Sequence, residues 1–381
     1  MDAPLKGIRV LELARILAGP WIGQTLADLG ADVIKVESPN GDDTRQWGPP
    51  WIDTNGEQCA AYFHACNRGK RSIVADFRKT DDLRRVVQLA DKADVIIENF
   101  KVGGLVAYKL DAHSRCSSNP RMIYCSVTGF GQTGPYAHRA GYDFMIQGMS
   151  GIMELTGESD GEPQKMGVAF ADIFTGLYGV IAIQAALLQR EKNGKGQHID
   201  LALFDCMTGV LANQAMNYLA SGDNPSRIGN THPNIVPYQV FPSCDGHLII
   251  AVGNNDQFVR LCRVLKLDDL ASDKRYTSNA LRVRHRDALI KQLVITTSTW
   301  TRDALLTALE KAVVPAGPIN TVQDVFNDPQ FIYRNMQINR SGIPGVRTPI
   351  LMDGNSITSA LRAPRLGEHS GSLDDEIWGS N

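Results

Sequence analysis

A strand–helix–strand unit near the N-terminus restricts what this chain can fold into. Residues 7–13 read as a strand, residues 14–20 as a loop, and about 21–29 as a helix. Gly30 stands just past that helix, where a left-handed residue commonly ends one. Residues 31–37 are a second strand. A crossover through a helix joins parallel strands. The pattern recurs, with a helix expected over 81–91 and strands over 93–99, 122–127 and 198–203. Such alternation predicts an α/β fold whose parallel sheet is covered on both faces.

The rest of the chain sets limits on that sheet. At 381 residues, two domains are expected. Residues 221–237 are rich in Gly, Asn, Pro and Ser and read as a linker or binding loop. Beyond them a strand over 247–252 and helices over 256–265, 284–297 and 301–312 suggest a smaller α/β domain. The expected division is 1–224 plus 321–381 for the large domain and 225–320 for the small one.

Apolar residues make up 43 %, charged residues 21 %, and the formal net charge is −2. This is a globular composition, and its near-neutral balance gives no support to nucleic-acid or membrane partners. Residues 1–7 hold no apolar leader, and no stretch reads as an uninterrupted membrane span. The seven cysteines form no Cys-x-x-Cys pair, which argues against a zinc or redox site and for a reducing cytoplasm.

The stretch with the most chemical promise is residues 167–176, which run from Gly167 through Asp172 into an apolar helical pattern. Asp172 at a helix start is a natural N-cap. It is equally a candidate nucleophile, since a helix N-terminus favours the ionised carboxylate. The residues alone leave both roles open. The loop after the first strand lacks Gly-x-Gly-x-x-Gly, so a dinucleotide site is not supported. Asn67-Arg-Gly-Lys-Arg-Ser72 is either a solvated basic turn or a phosphate contact. Thr128-Gly-Phe-Gly-Gln-Thr-Gly-Pro135 follows a strand end and suits close approach of a ligand or a simple turn. The eight histidines are scattered without ligand spacing, so no metal is expected.

Taken in order, these motifs resemble the class III CoA-transferase family, also called CaiB–BaiF, over nearly the whole chain. The likeness is carried by Val10-Leu-Glu-Leu, Ala18-Gly-Pro, residues 29–37, Gly41-Asp-Asp-Thr-Arg and Asn67-Arg-Gly-Lys-Arg-Ser. Glu98-Asn-Phe, Gly129-Phe-Gly-Gln-Thr-Gly-Pro, Gly141-Tyr-Asp, the Asp172 stretch, residues 194–200 and Leu366-Gly-Glu-His continue it. The resemblance implies a Rossmann-like CoA-binding domain, a smaller domain, and two chains interlocked as a homodimer. It makes Asp172 the nucleophile. It places CoA contacts at Leu17 and Ala18, at Cys66, Asn67, Arg68 and Gly69, at Asn99, Phe100 and Lys101, and at Arg139, Ala140, Gly141, Tyr142 and Asp143. Ser38 stands where formyl-CoA members carry an Arg. No metal or nucleotide cofactor is implied, because CoA enters as part of a substrate.

Racemase-like members carry His where this chain has Tyr142. Moving a proton between two faces of a carbon needs a group that titrates near neutrality, so transfer is favoured over racemisation. Residues 227–241 and 253–258 look most like members that use succinyl-CoA and a dicarboxylate. Oxalate, with acetyl-CoA or formyl-CoA, is the alternative pairing.

Overall fold

The structure is a computed structural model that describes residues 3–54, 56–373 and 378. Met1 and Asp2, at the end expected to lack a leader, lie outside the described residues. β1 (Arg9–Glu12), α1 (Ala18–Asp28) and β2 (Asp32–Glu37) form the strand–helix–strand unit. The helix begins three residues earlier than expected. Pro20 falls in its first turn, where a missing N–H removes no helical bond. A hairpin of β3 (Trp51–Thr54) and β4 (Glu57–Ala60) leads into α2 (Ala61–Cys66), none of which the sequence pattern suggested. Then follow β5 (Lys70–Val74), α3 (Thr80–Lys92), β6 (Val95–Glu98), α4 (Ala112–Ser118) and β7 (Ile123–Thr128). α5 (Asp143–Met149), α6 (Phe170–Asn193), β8 (Gln197–Ala202), α7 (Leu203–Gly209) and α8 (Ala212–Ser221) complete this part.

Six strands pair in the order β5-β2-β1-β6-β7-β8, all parallel. Side chains alternate across the sheet. Val10, Val33, Val95 and Ile123 point into a core with α1 and α6. Leu11, Ile34, Ile96 and Tyr124 point into a second core with Val86 and Leu89 of α3. Chain direction across the sheet reverses at β1, so the carboxyl ends of β1 and β6 flank the crevice where open sheets of this kind bind ligands.

Glycine lets α6 pack against α1. A Cβ at Gly179 would lie 2.4 Å from Ile22 Cδ1, and one at Gly176 would lie 2.9 Å from Trp21 Cδ1. The contact brings the start of α6 beside the start of α1. α6 is also long and apolar enough to cross a membrane by length and composition, which corrects the expectation that no such stretch exists. Ala171, Val180, Ile183 and Leu187 seat one of its faces in the core.

By its contacts the chain forms two compact units. One holds residues up to 152, 165–222 and those from 329 onward; the other holds 153–164 and 223–328. Relative to the expected division, 153–164, 223–224 and 321–328 join the second unit. Membership rests on long-range contacts that local patterning does not carry, such as the Arg227–Glu154 ion pair at 2.7 Å and the Gly229 N–H donating to the Gly157 carbonyl. The second unit contains an antiparallel sheet ordered β11-β10-β9, from β9 (Tyr238–Ser243), β10 (Gly246–Ala251) and β11 (Ala316–Pro318). Phe241, Leu248, Ile250, Phe258, Leu289 and Leu305 are among its core residues.

Gly179→Val tests the α1–α6 contact. Forcing a branched side chain against Ile22 should destabilise the fold by about 2 kcal/mol, read as a lower urea midpoint with an unchanged slope. An unchanged midpoint would mean the helices are not held by this approach.

Candidate active site

The crevice at the carboxyl ends of β1 and β6 is a cavity of about 430 Å³. It is lined by residues 15–18 after β1, by 99–102 and Gly104 after β6, by 127–129 at the end of β7 with 137–143 beyond it, and by Asp172 of α6 and Leu203 of α7. Two clamps join these segments. The Arg15 N–H donates to Asn99 Oδ1 at 3.0 Å, and Asn99 Nδ2 donates back to the Arg15 carbonyl at 2.7 Å. Gly129 and Gly141 meet backbone to backbone, where a Cβ on Gly141 would lie 2.4 Å from the Gly129 Cα. That approach carries Arg139, Ala140, Gly141, Tyr142 and Asp143 to the cleft.

Asp172 is the third residue of α6 and partly buried. It is not the N-cap, which corrects one of the two roles open to it: Ala169 holds that position and makes no side-chain cap. Capping comes instead from Asp143, whose Oδ1 accepts the Ala171 N–H at 2.8 Å. The other Asp143 oxygen accepts from Gln147 Nε2 at 2.8 Å. Gln147 is fully buried, and its Oε1 accepts the Met166 N–H at 2.9 Å, holding the segment that leads into α6. Burial, and then the charge of Asp143, push the Asp172 carboxyl up to about 7. A carboxylate of that basicity is a better nucleophile than an ordinary one.

Of the residues expected to contact CoA, the cavity gathers Leu17, Ala18, Asn99, Phe100, Lys101, Arg139, Ala140, Gly141, Tyr142 and Asp143. It does not include Cys66, Asn67, Arg68 or Gly69. These are tied into the protein. Arg68 pairs with Asp28 at 2.6 Å and donates to the Val346 carbonyl. Asn67 Nδ2 donates to the Phe63 carbonyl, Cys66 Sγ lies 3.5 Å from the Ile16 carbonyl, and the Gly69 N–H donates to the Leu361 carbonyl. With Arg68 and Lys70 buried, the solvated-turn reading of residues 67–72 is wrong. The counter-charges lie about forty to sixty residues away in sequence, at Asp28 and Glu12, where no local pattern reveals them.

Tyr62 on α2 escaped the sequence reading. Burial, followed by the charges of Asp172, Cys66 and Asp143, pushes its phenol up to about 12, so it stays protonated beside the carboxylates. Its ring meets Trp47 edge-on at 5.3 Å. Nothing in its apolar neighbourhood in sequence signals this position. A second cavity, of about 540 Å³, shares Lys101, Val102 and Gly104 with the cleft and is lined by Glu98, Ser126 and His198. Burial pushes the Glu98 carboxyl up, and its Oε2 accepts the Phe100 N–H at 2.8 Å. Among the described residues no group of three or more His, Cys, Asp and Glu could hold a metal ion.

Comparison with known proteins gives this cleft its family. The CoA-transferase family III profile matches residues 5–370. The chain belongs to CoA-transferase family III. A succinate–glutarate CoA-transferase of Agrobacterium fabrum is 55 % identical, with 98 % of this chain and 96 % of that protein covered. The mouse succinyl-CoA:glutarate CoA-transferase is 40 % identical over 98 % of this chain and 86 % of its own. A crystal structure of a CaiB/BaiF family protein from Brucella suis superposes with a TM-score of 0.89 at 62 % identity, covering 99 % of this chain and 100 % of that one. As a class III CoA-transferase, the protein takes an acyl-CoA as substrate.

Two measurements follow from the pair of carboxylates. With Asp172 as the proposed nucleophile, kcat/KM should rise with pH through a midpoint near its value of about 7, since a carboxylate attacks only when ionised. Asp143→Asn removes the like charge and should move that midpoint down; an unmoved midpoint would mean Asp143 does not set it. Stability carries the opposite sign. A carboxyl whose folded pKa is raised costs stability once ionised, so the penalty is absent below the unfolded value of about 4 and complete above about 7. Asp172→Asn should therefore raise Tm by about 2–4 °C at pH 8 and leave it unchanged at pH 4. A gain independent of pH would contradict the raised carboxyl.

Proposed function

We propose that this enzyme moves CoA from succinyl-CoA to a dicarboxylic acid of about glutarate length, with Asp172 as nucleophile. The observation that carries this is a basic carboxylate on the first turn of α6, inside a cleft at the carboxyl ends of β1 and β6. The names of the related succinyl-CoA- and glutarate-using enzymes support the substrate pair.

The Asp172 carboxylate attacks the donor thioester carbonyl. The carbon–sulfur bond breaks, CoA thiolate leaves, and an aspartyl–succinyl anhydride forms. Thiolate then attacks the Asp172 carbonyl, expelling succinate and leaving an aspartyl-CoA thioester. The acceptor carboxylate attacks that carbonyl and releases thiolate again. Thiolate finally attacks the acceptor acyl carbonyl of the second anhydride, which frees Asp172 and the new acyl-CoA. Bonds of similar energy are exchanged at each step, so no nucleoside triphosphate is consumed. The anhydrides must be kept from water, which favours an enclosed site.

Leu17 and Ala18 with Asn99, Phe100 and Lys101 are proposed to flank the CoA chain on one side. Arg139, Ala140, Gly141, Tyr142 and Asp143 flank it on the other. Cys66, Asn67, Arg68 and Gly69 would contribute backbone or edge contacts only, given their internal partners. The active form is proposed to be an interlocked homodimer. Supporting this, α6 and α8 expose Ile181, Leu188, Met216 and Leu219, an apolar surface of the kind that marks protein contacts. Seven free thiols fit a reducing cytoplasm.

A panel of acyl-CoA donors crossed with free acids, read by mass spectrometry, tests the assignment. Succinyl-CoA with glutarate should be the best pair, oxalate should be poor, and the α-proton of a 2-methylacyl-CoA should not exchange with solvent. Asp172→Ala should lower transfer by at least about 10⁴-fold. Transfer at a near wild-type rate in that variant, or proton exchange without transfer, would overturn the proposal.

A further inference from the structure

Beneath the cleft lies a cluster of charges that the transfer chemistry does not use. Glu12, Lys35, Asp42 and Lys70 have fully buried side chains. Lys35 Nζ lies 3.1 Å from Glu12 Oε1 and 2.9 Å from Asp42 Oδ2. Lys70 Nζ lies 2.8 Å from Glu12 Oε2. Two cations thus meet two anions with no solvent. Gly23 of α1 makes room for them, since a Cβ there would fall 1.8 Å from Glu12 Oε2.

Buried ion groups of this kind add little net stability. Apolar side chains of similar volume usually serve as well or better. What apolar residues could not do is bind backbone, and here, besides the Thr44 N–H that Asp42 caps at 3.0 Å, that backbone is the loop after β1 together with the first turn of α1. Lys35 Nζ donates to the Ala14 carbonyl at 2.7 Å. Asp42 accepts the Ile16 N–H at 3.2 and 3.3 Å on its two oxygens. Lys70 Nζ donates to the Pro20 carbonyl at 2.8 Å. Three of the four ions therefore grip residues 14–20 directly, and the fourth, Glu12, ties the two lysines together.

The gripped loop is strained. Ile16 has φ +74°, a left-handed conformation that a β-branched residue adopts only when its surroundings impose it. Its neighbours Leu17 and Ala18 line the cleft with Asp172. We propose that Asp42, Lys35, Lys70 and Glu12 are positioning residues that hold Ile16 in this conformation and so fix the wall that Leu17 and Ala18 present to the acyl-CoA. The role at the wall rests on the CoA-transfer assignment above; the grip on the loop does not.

Asp42→Asn keeps the bulk and one acceptor but loses the charge. It should lower kcat/KM for succinyl-CoA about tenfold, chiefly through KM. Glycine adopts a left-handed φ without strain, so adding Ile16→Gly should recover most of that loss. Asp94→Asn serves as a stability control, because Asp94 is held by Arg9 and Arg190 at the amino end of β6, away from the cleft. At a matched loss of Tm it should keep kcat/KM within about twofold. Crystal structures of the wild type and of Asp42→Asn read the backbone whether or not transfer occurs, and residue 16 should leave the left-handed region in the variant. If Asp42→Asn does not fold, Lys35→Met with and without Ile16→Gly makes the same comparison. A left-handed residue 16 retained in the variant, no rescue by glycine, or losses no greater than those of Asp94→Asn would each overturn the inference. Absence of transfer in the wild type would overturn the assigned reaction while leaving the structural comparison to decide on the grip.

Discussion

The Asp143 carboxylate caps the helix that carries Asp172, and the chemistry proposed for the cleft depends on that substitution of one acid for another. A carboxylate at a helix start ordinarily spends itself on the unpaired N–H groups there. In this chain Asp143 accepts the Ala171 N–H and Gln147 locks Asp143 from the other side. Asp172, one residue further along, is left to line the cavity. The cap then has a second effect. Its charge, added to burial, opposes ionisation of Asp172 and raises its basicity. One carboxylate therefore frees Asp172 by its hydrogen bond and, by its charge, adds to the burial that tunes it.

Bringing these groups to one place depends on the sheet. The crevice between the ends of β1 and β6 exists because strand order reverses there. The loops on its two sides are tied by the mutual Arg15–Asn99 hydrogen bonds, and the far wall is drawn in by the contact of Gly129 with Gly141. α6 reaches the same crevice through the glycine contact with α1. Short side chains at these points act through backbone geometry. The buried ions below residues 14–20 act by hydrogen bonding.

Much of this scaffold was legible from periodicity. The strands that became β1, β2, β6, β7 and β8, and the helices α1, α3 and α6, follow from apolar spacing, because each sets apolar side chains into the cores beside the sheet, only partly so in the end strand β8. The cleft segments containing Leu17, Asn99, Tyr142 and Asp172 were legible as motifs. What escaped was set by residues distant in sequence. Arg68 and Lys70 looked solvated until Asp28 and Glu12 supplied their counter-charges. Tyr62 belongs to a short helix of mixed pattern, and its nearness to Asp172 arises only on folding. The role of Asp143 as a cap could not be read from residues 167–176, because the cap comes from another helix.

The central claim is that Asp172 itself carries the acyl group. Mixing the enzyme with succinyl-CoA, quenching early, trapping with hydroxylamine and digesting for peptide mass analysis would examine it most directly. The account predicts a hydroxamate on the peptide containing Asp172 and on no other acidic residue, and none from enzyme without succinyl-CoA. A modified Asp143 or Glu98 peptide, or CoA transfer that proceeds with no trapped peptide at any quench time, would contradict it.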